Sequence, residues 1–234
     1  MNKKSDTLEY DRPVILVGPA DVDFDLFQMM SDNGYAIIAA DGGANRLFNN
    51  NIMPDAIIGD LDSLENRENF GSDTKIIHFK EQETTDFEKC LYCVNAPVFL
   101  AMGFTGRRLD HTLANTNTIT KFHKTKNVLL IASDDVSFVC HGIFSSPVAT
   151  QITVSVFPLM PIRFSHSEGL MFELDDLNME IGQFAGTSNH TIGHEYSIIP
   201  THAHKDTPYL VTLSGEKLYE LVNSRLQYML RNPI

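Results

Sequence analysis

PDAIIGDLDSL, residues 54–64, joins an apolar run to a pair of carboxylates. Ala56-Ile57-Ile58 has the character of a buried strand, and it ends in Gly59 with Asp60 and Asp62 one residue apart. Like charges that close repel, and charge withdrawn from water is costly. A strand tip of this kind expects something positive nearby.

Four more runs share the character of that strand: Val14-Ile15-Leu16-Val17, Ala36-Ile37-Ile38-Ala39-Ala40, Val98-Phe99-Leu100-Ala101-Met102 and Val128-Leu129-Leu130-Ile131-Ala132. None alternates polar with apolar, as is expected of strands covered on both faces. Helix-like segments lie between them, over Asp23 to Asp32, Ala44 to Asn50, Asp86 to Asn95 and Asp110 to Lys124. The alternation predicts an α/β domain over residues 1–140, with a mainly parallel, Rossmann-like sheet and helices on both faces. After about residue 140 the texture changes. Thr150 to Phe157 alternates polar with apolar, Thr187 to Ile199 does so less cleanly, and Val211 to Leu213 reads as another strand. Residues 141–234 therefore predict a smaller all-β domain, closed by a helix over Glu216 to Met229.

Lys plus Arg number 18 against 30 Asp plus Glu, a net charge of -12, which argues against nonspecific nucleic-acid binding. A polyanionic ligand stays open, because a metal ion reverses the local sign. The cysteines, Cys90, Cys93 and Cys140, are too few and too uneven for a disulfide framework. Cys90 and Cys93 form a single C-x-x-C in a helical context and read as buried thiols. The opening MNKKSDTLEYDRP lacks the apolar stretch of a signal peptide, and no run approaches a membrane span. A cytoplasmic location away from membranes is expected.

In open α/β sheets, ligands sit beyond the carboxyl ends of the strands. Here those ends carry Asp41-Gly42-Gly43-Ala44-Asn45-Arg46, Gly59-Asp60-Leu61-Asp62-Ser63 and Gly103 to His111, and Gln82-Glu83-Thr84-Thr85-Asp86 precedes a helix. Each has a plain reading of its own: a tight turn at Asp41-Gly42-Gly43, a helix-terminal charge at Asp86, a cap at Asp110, a solvated loop at Asp60 and Asp62. A site for Mg²⁺ and polyphosphate accounts for all of them together. Hard cations take carboxylate oxygens and bridge phosphates. Backbone N–H groups after Asp41-Gly42-Gly43 offer a phosphate seat, and Arg46 and Arg108 suit phosphate oxygens. No Walker-type loop, dinucleotide fingerprint, H-E-x-x-H or nucleophile elbow occurs. His202-Ala203-His204 reads as a solvated loop among Pro200, Lys205 and Pro208.

Four segments together resemble the thiamine pyrophosphokinase (thiamine diphosphokinase) family: Asp41 to Leu47, Gly59 to Ser63, Gln82-x-x-Thr85-Asp86-Phe87-Glu88-Lys89, and Gly106 to Asn115. The resemblance implies an α/β catalytic domain followed by a β-sandwich domain. It also implies a homodimer with active sites at the subunit interface, and transfer of the diphosphoryl group of ATP to the thiamine hydroxyl with release of AMP. By motif match, Asp60, Asp62 and Asp86 would hold Mg²⁺. Gln82, Thr85, Arg108 and Asp110 would line the nucleotide and hydroxyl side, with Asp41, Asn45 and Arg46 at the same pocket. Asp110, Arg108 and Asp86 would carry the catalysis, Asp110 by orienting or deprotonating the attacking hydroxyl.

In the second domain, Thr187, Ser188 and Asn189 match the family's thiamine segment. Gly186 stands where a serine is usual, and Arg107 where a glycine is common. The chain has no tryptophan to stack on thiamine, and Ile192 falls near that place. Two other readings follow from this departure: the same site serving another alcohol or pyrimidine acceptor, and a nucleotide sensor that performs no transfer.

Overall fold

The computed structural model describes residues 7–148 and 151–234. The first six residues, and Thr150 at the head of the alternating stretch, lie outside the described residues. The chain forms two compact units. One runs through Ser133 and takes in Val222–Ile234; the other is Asp134–Leu221.

The first unit contains β1 (Leu8–Glu9), β2 (Val14–Val17), α1 (Phe24–Ser31), β3 (Ala36–Ala40), α2 (Gly43–Phe48) and β4 (Ala56–Gly59). It continues with β5 (Lys75–His78), α3 (Asp86–Cys93), β6 (Val94–Asn95), β7 (Phe99–Met102), α4 (Leu109–Phe122) and β8 (Val128–Ile131). Six strands pair in the order β8-β7-β2-β3-β4-β5, every pairing parallel. All four residues of β2, β4, β7 and β8 are buried, which is why they read as unbroken apolar runs. A small pairing of β1 with β6 lies apart from these. Strand β5, Lys-Ile-Ile-His, escaped the sequence reading because only Ile77 in it is fully buried.

Asp23 caps α1, its carboxylate accepting the N–H groups of Asp25 and Leu26 at 3.0 Å each. Thr85 caps α3 in the same way, accepting the Glu88 N–H at 3.2 Å. The Glu88 carboxylate turns to Lys121 on α4 and ties those two helices together.

The second unit contains β9 (Asp135–Cys140), β10 (Phe144–Pro147), β11 (Thr153–Pro158), β12 (Ile162–Glu168), β13 (Asn178–Met179), β14 (Gly186–His190), β15 (Glu195–Pro200) and β16 (Tyr209–Ser214). Two antiparallel groups form, β14-β11-β16-β9 and β10-β15-β12-β13. Their strands alternate buried with half-buried residues, as in β9 and β16. Phe138, Phe144 and Tyr196 pack in sequence, the first pair tilted and the second edge to face, ring centroids 5.6 and 5.5 Å apart, within its core. The closing helix α5 (Leu218–Arg231) buries Val222, Leu226 and Met229. It was expected with the second domain, but from Val222 onward it groups with the first unit, and its buried residues fall at i, i+4 and i+7 on one face. The architecture as a whole is mixed α/β with a large multistranded sheet.

Candidate active site

Neighbouring strands bring the site together. Ala40 on β3 pairs with Ile58 on β4, so Asp41 and Gly59 continue side by side past the paired tips. The Asp41 N–H donates to the Ile58 carbonyl at 3.0 Å. Asp41 turns there with φ 41°, a left-handed conformation that aspartate tolerates better than most side chains. Gly59 makes the close approach possible. A Cβ at that position would stand 2.7 Å from the Asp41 Cβ and 3.1 Å from Asp86 Oδ1.

Asp86 arrives from the first turn of α3, which packs on β3 and β4. One carboxylate oxygen from each of Asp41, Asp60 and Asp86 lies within 4.8 Å of the others. Among the described residues this is the one grouping with metal-ligand character. Asp41 is only 3% exposed, and its Oδ2 accepts the Ser63 N–H at 3.1 Å. Its Oδ1 is buried with no hydrogen-bond partner. A buried acceptor left unsatisfied is costly and asks for an explanation. Burial lifts the Asp41 carboxyl above its ordinary value, the Asp86 charge lifts it further, and the Ser63 N–H pulls the other way. Asp86 is raised as well, by burial first, against the pull of Lys89.

Asp60 differs. Burial would raise it too, but the Gln82 amide, the Asp62 N–H and Lys89 together hold it below its ordinary value. Gln82 Nε2 donates to Asp60 Oδ2 at 2.7 Å, and the Asp62 N–H donates to Oδ1 at 3.3 Å. Gln82, expected against nucleotide, therefore holds Asp60 in place.

Asp62, expected as the third ligand, is exposed, and its Oδ1 takes the Ser63 hydroxyl at 2.9 Å. Residues two apart share a side only in an extended strand. Leu61, at φ 64°, breaks that rule here and turns Asp62 away, while Asp41 joins Asp60 and Asp86.

Sequence reasoning gave Lys89 no role. Its side chain is 2% exposed, with Nζ 2.9 Å from Asp86 Oδ1 and 3.8 Å from Asp60 Oδ2. Burial favours the neutral amine, but Asp86, Asp60 and Glu81 outweigh it and keep the ammonium charged above its ordinary value. The signal was available: a lysine one turn after Asp86 on a helix faces the same way.

The remaining expected residues have identifiable tasks. Asn45 donates to the Ser63 carbonyl at 2.8 Å and accepts the Glu65 N–H at 3.0 Å, so both ends of its amide clamp the loop after Asp62. Arg46 donates to the Pro19 carbonyl at 3.1 Å and to Asp21 at 2.9 Å. Gly43 is spent on packing, since a Cβ there would lie 2.1 Å from the Val17 carbonyl oxygen. Helix α2 is only six residues long, too short for a strong terminal dipole, which weakens the expected phosphate seat.

Arg108 and Asp110 pair with each other through two hydrogen bonds, at 3.1 and 2.6 Å, at the exposed start of α4. The guanidinium holds the Asp110 carboxyl below its ordinary range. In the second unit, Thr187 and Ser188 are exposed. Asn189 is buried and grips Phe172 by both its N–H, at 2.9 Å, and its carbonyl, at 2.6 Å. All three cysteines are buried and unbridged. His202 to His204 form a short turn.

Two family models match the chain: the thiamin pyrophosphokinase catalytic domain over residues 27–131, and the thiamin pyrophosphokinase vitamin B1 binding domain over residues 141–204. Thiamine pyrophosphokinase 1 of Oryza sativa subsp. japonica is 28% identical over 197 residues, covering 69% of this chain and 74% of its own. Thiamin pyrophosphokinase 1 of Caenorhabditis elegans is 25% identical over 170 residues, covering 65% of this chain and 70% of its own. Among solved structures, the thiamin pyrophosphokinase from Candida albicans superposes with a TM-score of 0.76 at 18% identity, over 90% of this chain and 96% of that one. The yeast enzyme gives 0.77 at 17% identity, over 95% and 90%. The two models together span well over half of the chain, and it belongs to the thiamin pyrophosphokinase family of ATP-dependent diphosphotransferases.

Proposed function

We propose that this chain transfers the diphosphoryl group of ATP to the hydroxyl of thiamine, giving thiamine diphosphate and AMP. The observation that carries the reading is the meeting of Asp41, Asp60 and Asp86 around a buried carboxylate oxygen without a partner. A hard divalent cation fits that oxygen-only donor set, and Mg²⁺ is the one this chemistry uses. Asp41, Asp60 and Asp86 would hold it, with Asp62 on the exposed rim. The cation supplies charge neutralisation on the phosphoryl oxygens of the nucleotide.

The protein's own part is positioning and electrostatics. Gln82 and Asn45 fix the carboxylates and the loop that carry the site. Thr85 fixes the start of α3, and with it Asp86. Arg46 anchors the neighbouring loop through Pro19 and Asp21. Arg108 suits bidentate contact with phosphate oxygens. As the thiamine oxygen bonds to the β-phosphorus, the bridge to the α-phosphate breaks and AMP leaves. The hydroxyl proton passes to Asp110. While Arg108 grips Asp110 the carboxylate is a weak base, so engaging Arg108 with nucleotide would release it for this task. Thr187, Ser188 and Asn189 belong to the thiamine side, Asn189 by holding the Phe172 backbone.

The same reading makes the first unit a Rossmann-like catalytic domain and the second a β-sandwich that binds thiamine. It takes the working form as a cytoplasmic homodimer with sites at the subunit interface. The test is AMP formation from Mg·ATP with and without thiamine, followed by chromatography, with Asp86→Ala as control. AMP and thiamine diphosphate are expected together, and neither from the variant. Nucleotide binding without thiamine-dependent AMP would overturn the assignment.

A further inference from the structure

Lys89 is the one feature of the site that the transfer reaction does not by itself require. It is nearly sealed from water, on the turn of α3 that follows Asp86, and it reaches two of the three clustered carboxylates. Lysine is among the side chains least often buried, and burial without pairing is strongly unfavourable. Its position is therefore explained by the carboxylates, and theirs in part by it. Three ionised carboxylates and one ammonium leave two negative charges, the amount that one divalent cation cancels. Glu81 is a further acidic group that acts on the ammonium. No other cation pairs with Asp60 or Asp86 among the described residues.

We propose that Lys89 is the built-in counter-cation of this carboxylate site, a positioning residue that holds Asp60 and Asp86 together before a divalent cation arrives and tempers the binding of that cation. The proposal rests on the divalent-cation reading above. Its consequence is a site that stays folded without metal and yet does not bind metal so tightly that the ion is trapped. A cluster with all three charges unopposed would attract the ion more strongly and would resist closing without it.

The test uses the full chain without nucleotide, with Mn²⁺ as the probe. Free Mn²⁺ is followed by electron paramagnetic resonance, and the melting temperature is measured with and without the ion. Lys89→Met keeps the apolar stem and removes the charge. It is expected to melt lower than the parent when metal-free, to bind Mn²⁺ roughly tenfold or more tightly, and to gain more in melting temperature from Mn²⁺. Lys89→Arg keeps the charge and is expected to bind Mn²⁺ within about threefold of the parent.

If Lys89→Met does not fold without metal, Asp41→Asn/Lys89→Met returns the cluster to its original net charge and is expected to fold. Failure of both to fold would mark Lys89 as a packing residue and overturn the proposal. Unchanged or weaker Mn²⁺ binding by a folded Lys89→Met would overturn it too, as would a Lys89→Arg that behaves like Lys89→Met. If the parent itself binds no Mn²⁺, the divalent-cation reading fails and the proposal falls with it. A parent that binds Mn²⁺, with a variant that binds no tighter, removes the proposal alone.

Discussion

Two clusters of charge, one in each unit, answer opposite questions. In the first unit, Asp41, Asp60 and Asp86 bring three like charges within 4.8 Å of one another, with Lys89 the one cation paired with them among the described residues. In the second, His166 lies between Asp175, at 2.7 Å, and Glu168, at 3.4 Å, all of them in contact with water. The second cluster explains itself: opposite charges meet where solvent still screens them, and nothing is left unsatisfied. The first does not, because it crowds three carboxylates, one of them buried, against a single paired ammonium and strands a buried oxygen. What separates a functional site from a surface ion pair here is that uncancelled remainder, not the number of polar groups. A site held against its own electrostatics should gain stability when it is disarmed.

The sharpest way to break the comparison is Asp41→Asn. It keeps an acceptor for the Ser63 N–H and gives the stranded side of the group a donor that its neighbours can accept. Thiamine-dependent AMP formation is expected to fall on the order of 100-fold or more. The metal-free melting temperature is expected to rise by roughly 2–4 °C, which is what about 1 kcal/mol amounts to in a chain of this size. Activity lost together with stability would mean that Asp41 is structural, and the contrast between the clusters would collapse.

Gly59→Ala attacks the same site by shape. The added methyl would stand 2.7 Å from the Asp41 Cβ, which is backbone-bound and cannot swing aside. Overpacking of this kind costs about 1–3 kcal/mol, to be read from urea midpoints. Activity is expected to drop with it, since Asp41 and Asp86 would be pushed apart. A variant as stable and as active as the parent would show that the strand tips have slack and that their close approach is incidental.

Much of this was legible in the sequence, and the exceptions have physical causes. Runs such as Val14–Val17 and Val128–Ile131 are buried along their whole length, so composition alone marks them. The four motif segments were enough to suggest the family that the two family models identify. Strands β5, β9, β10 and β12 were missed because their residues are only partly buried and mix polar with apolar. At the site, Asp60 and Asp86 were expected together and do meet. Asp62 was grouped with them by motif match; it stands exposed just past the left-handed Leu61, outside the group of three carboxylates. Asp41 was placed at the pocket but not within the carboxylate group. Its position depends on which strand lies beside β4, a tertiary fact that no local pattern contains. The amides of Gln82, Asn45 and Asn189 likewise spend themselves on loops and carboxylates that only the fold brings near.

The surface cluster offers the gentlest test. Its two titrating partners shift in opposite directions. His166 is raised above 6.5 by the Asp175 and Glu168 carboxylates, and Asp175 is lowered below 3.8 by His166 and by the Ser167 N–H. A raised histidine stabilises the fold fully below its ordinary value, and that contribution fades as pH climbs through the raised one. A lowered aspartate stabilises above its ordinary value and loses that contribution as pH falls through the lowered one. The two contributions therefore coexist between 3.8 and 6.5. Asp175→Asn removes the charge and keeps the acceptor that receives the Ser167 N–H at 2.8 Å. The gap in urea midpoint between parent and variant is expected to be widest in that window, to narrow as pH climbs through the raised His166 value, and to shrink in high salt because both groups face water. The His166 titration followed by NMR is expected to move down toward 6.5 in the variant. A gap that stays constant with pH would assign the loss to the loop that Asp175 braces through Ser167, and the cluster would then be one more piece of backbone scaffolding. A gap that follows the window would make it a self-cancelling ion pair, the kind of arrangement that Asp41, Asp60 and Asp86 conspicuously are not.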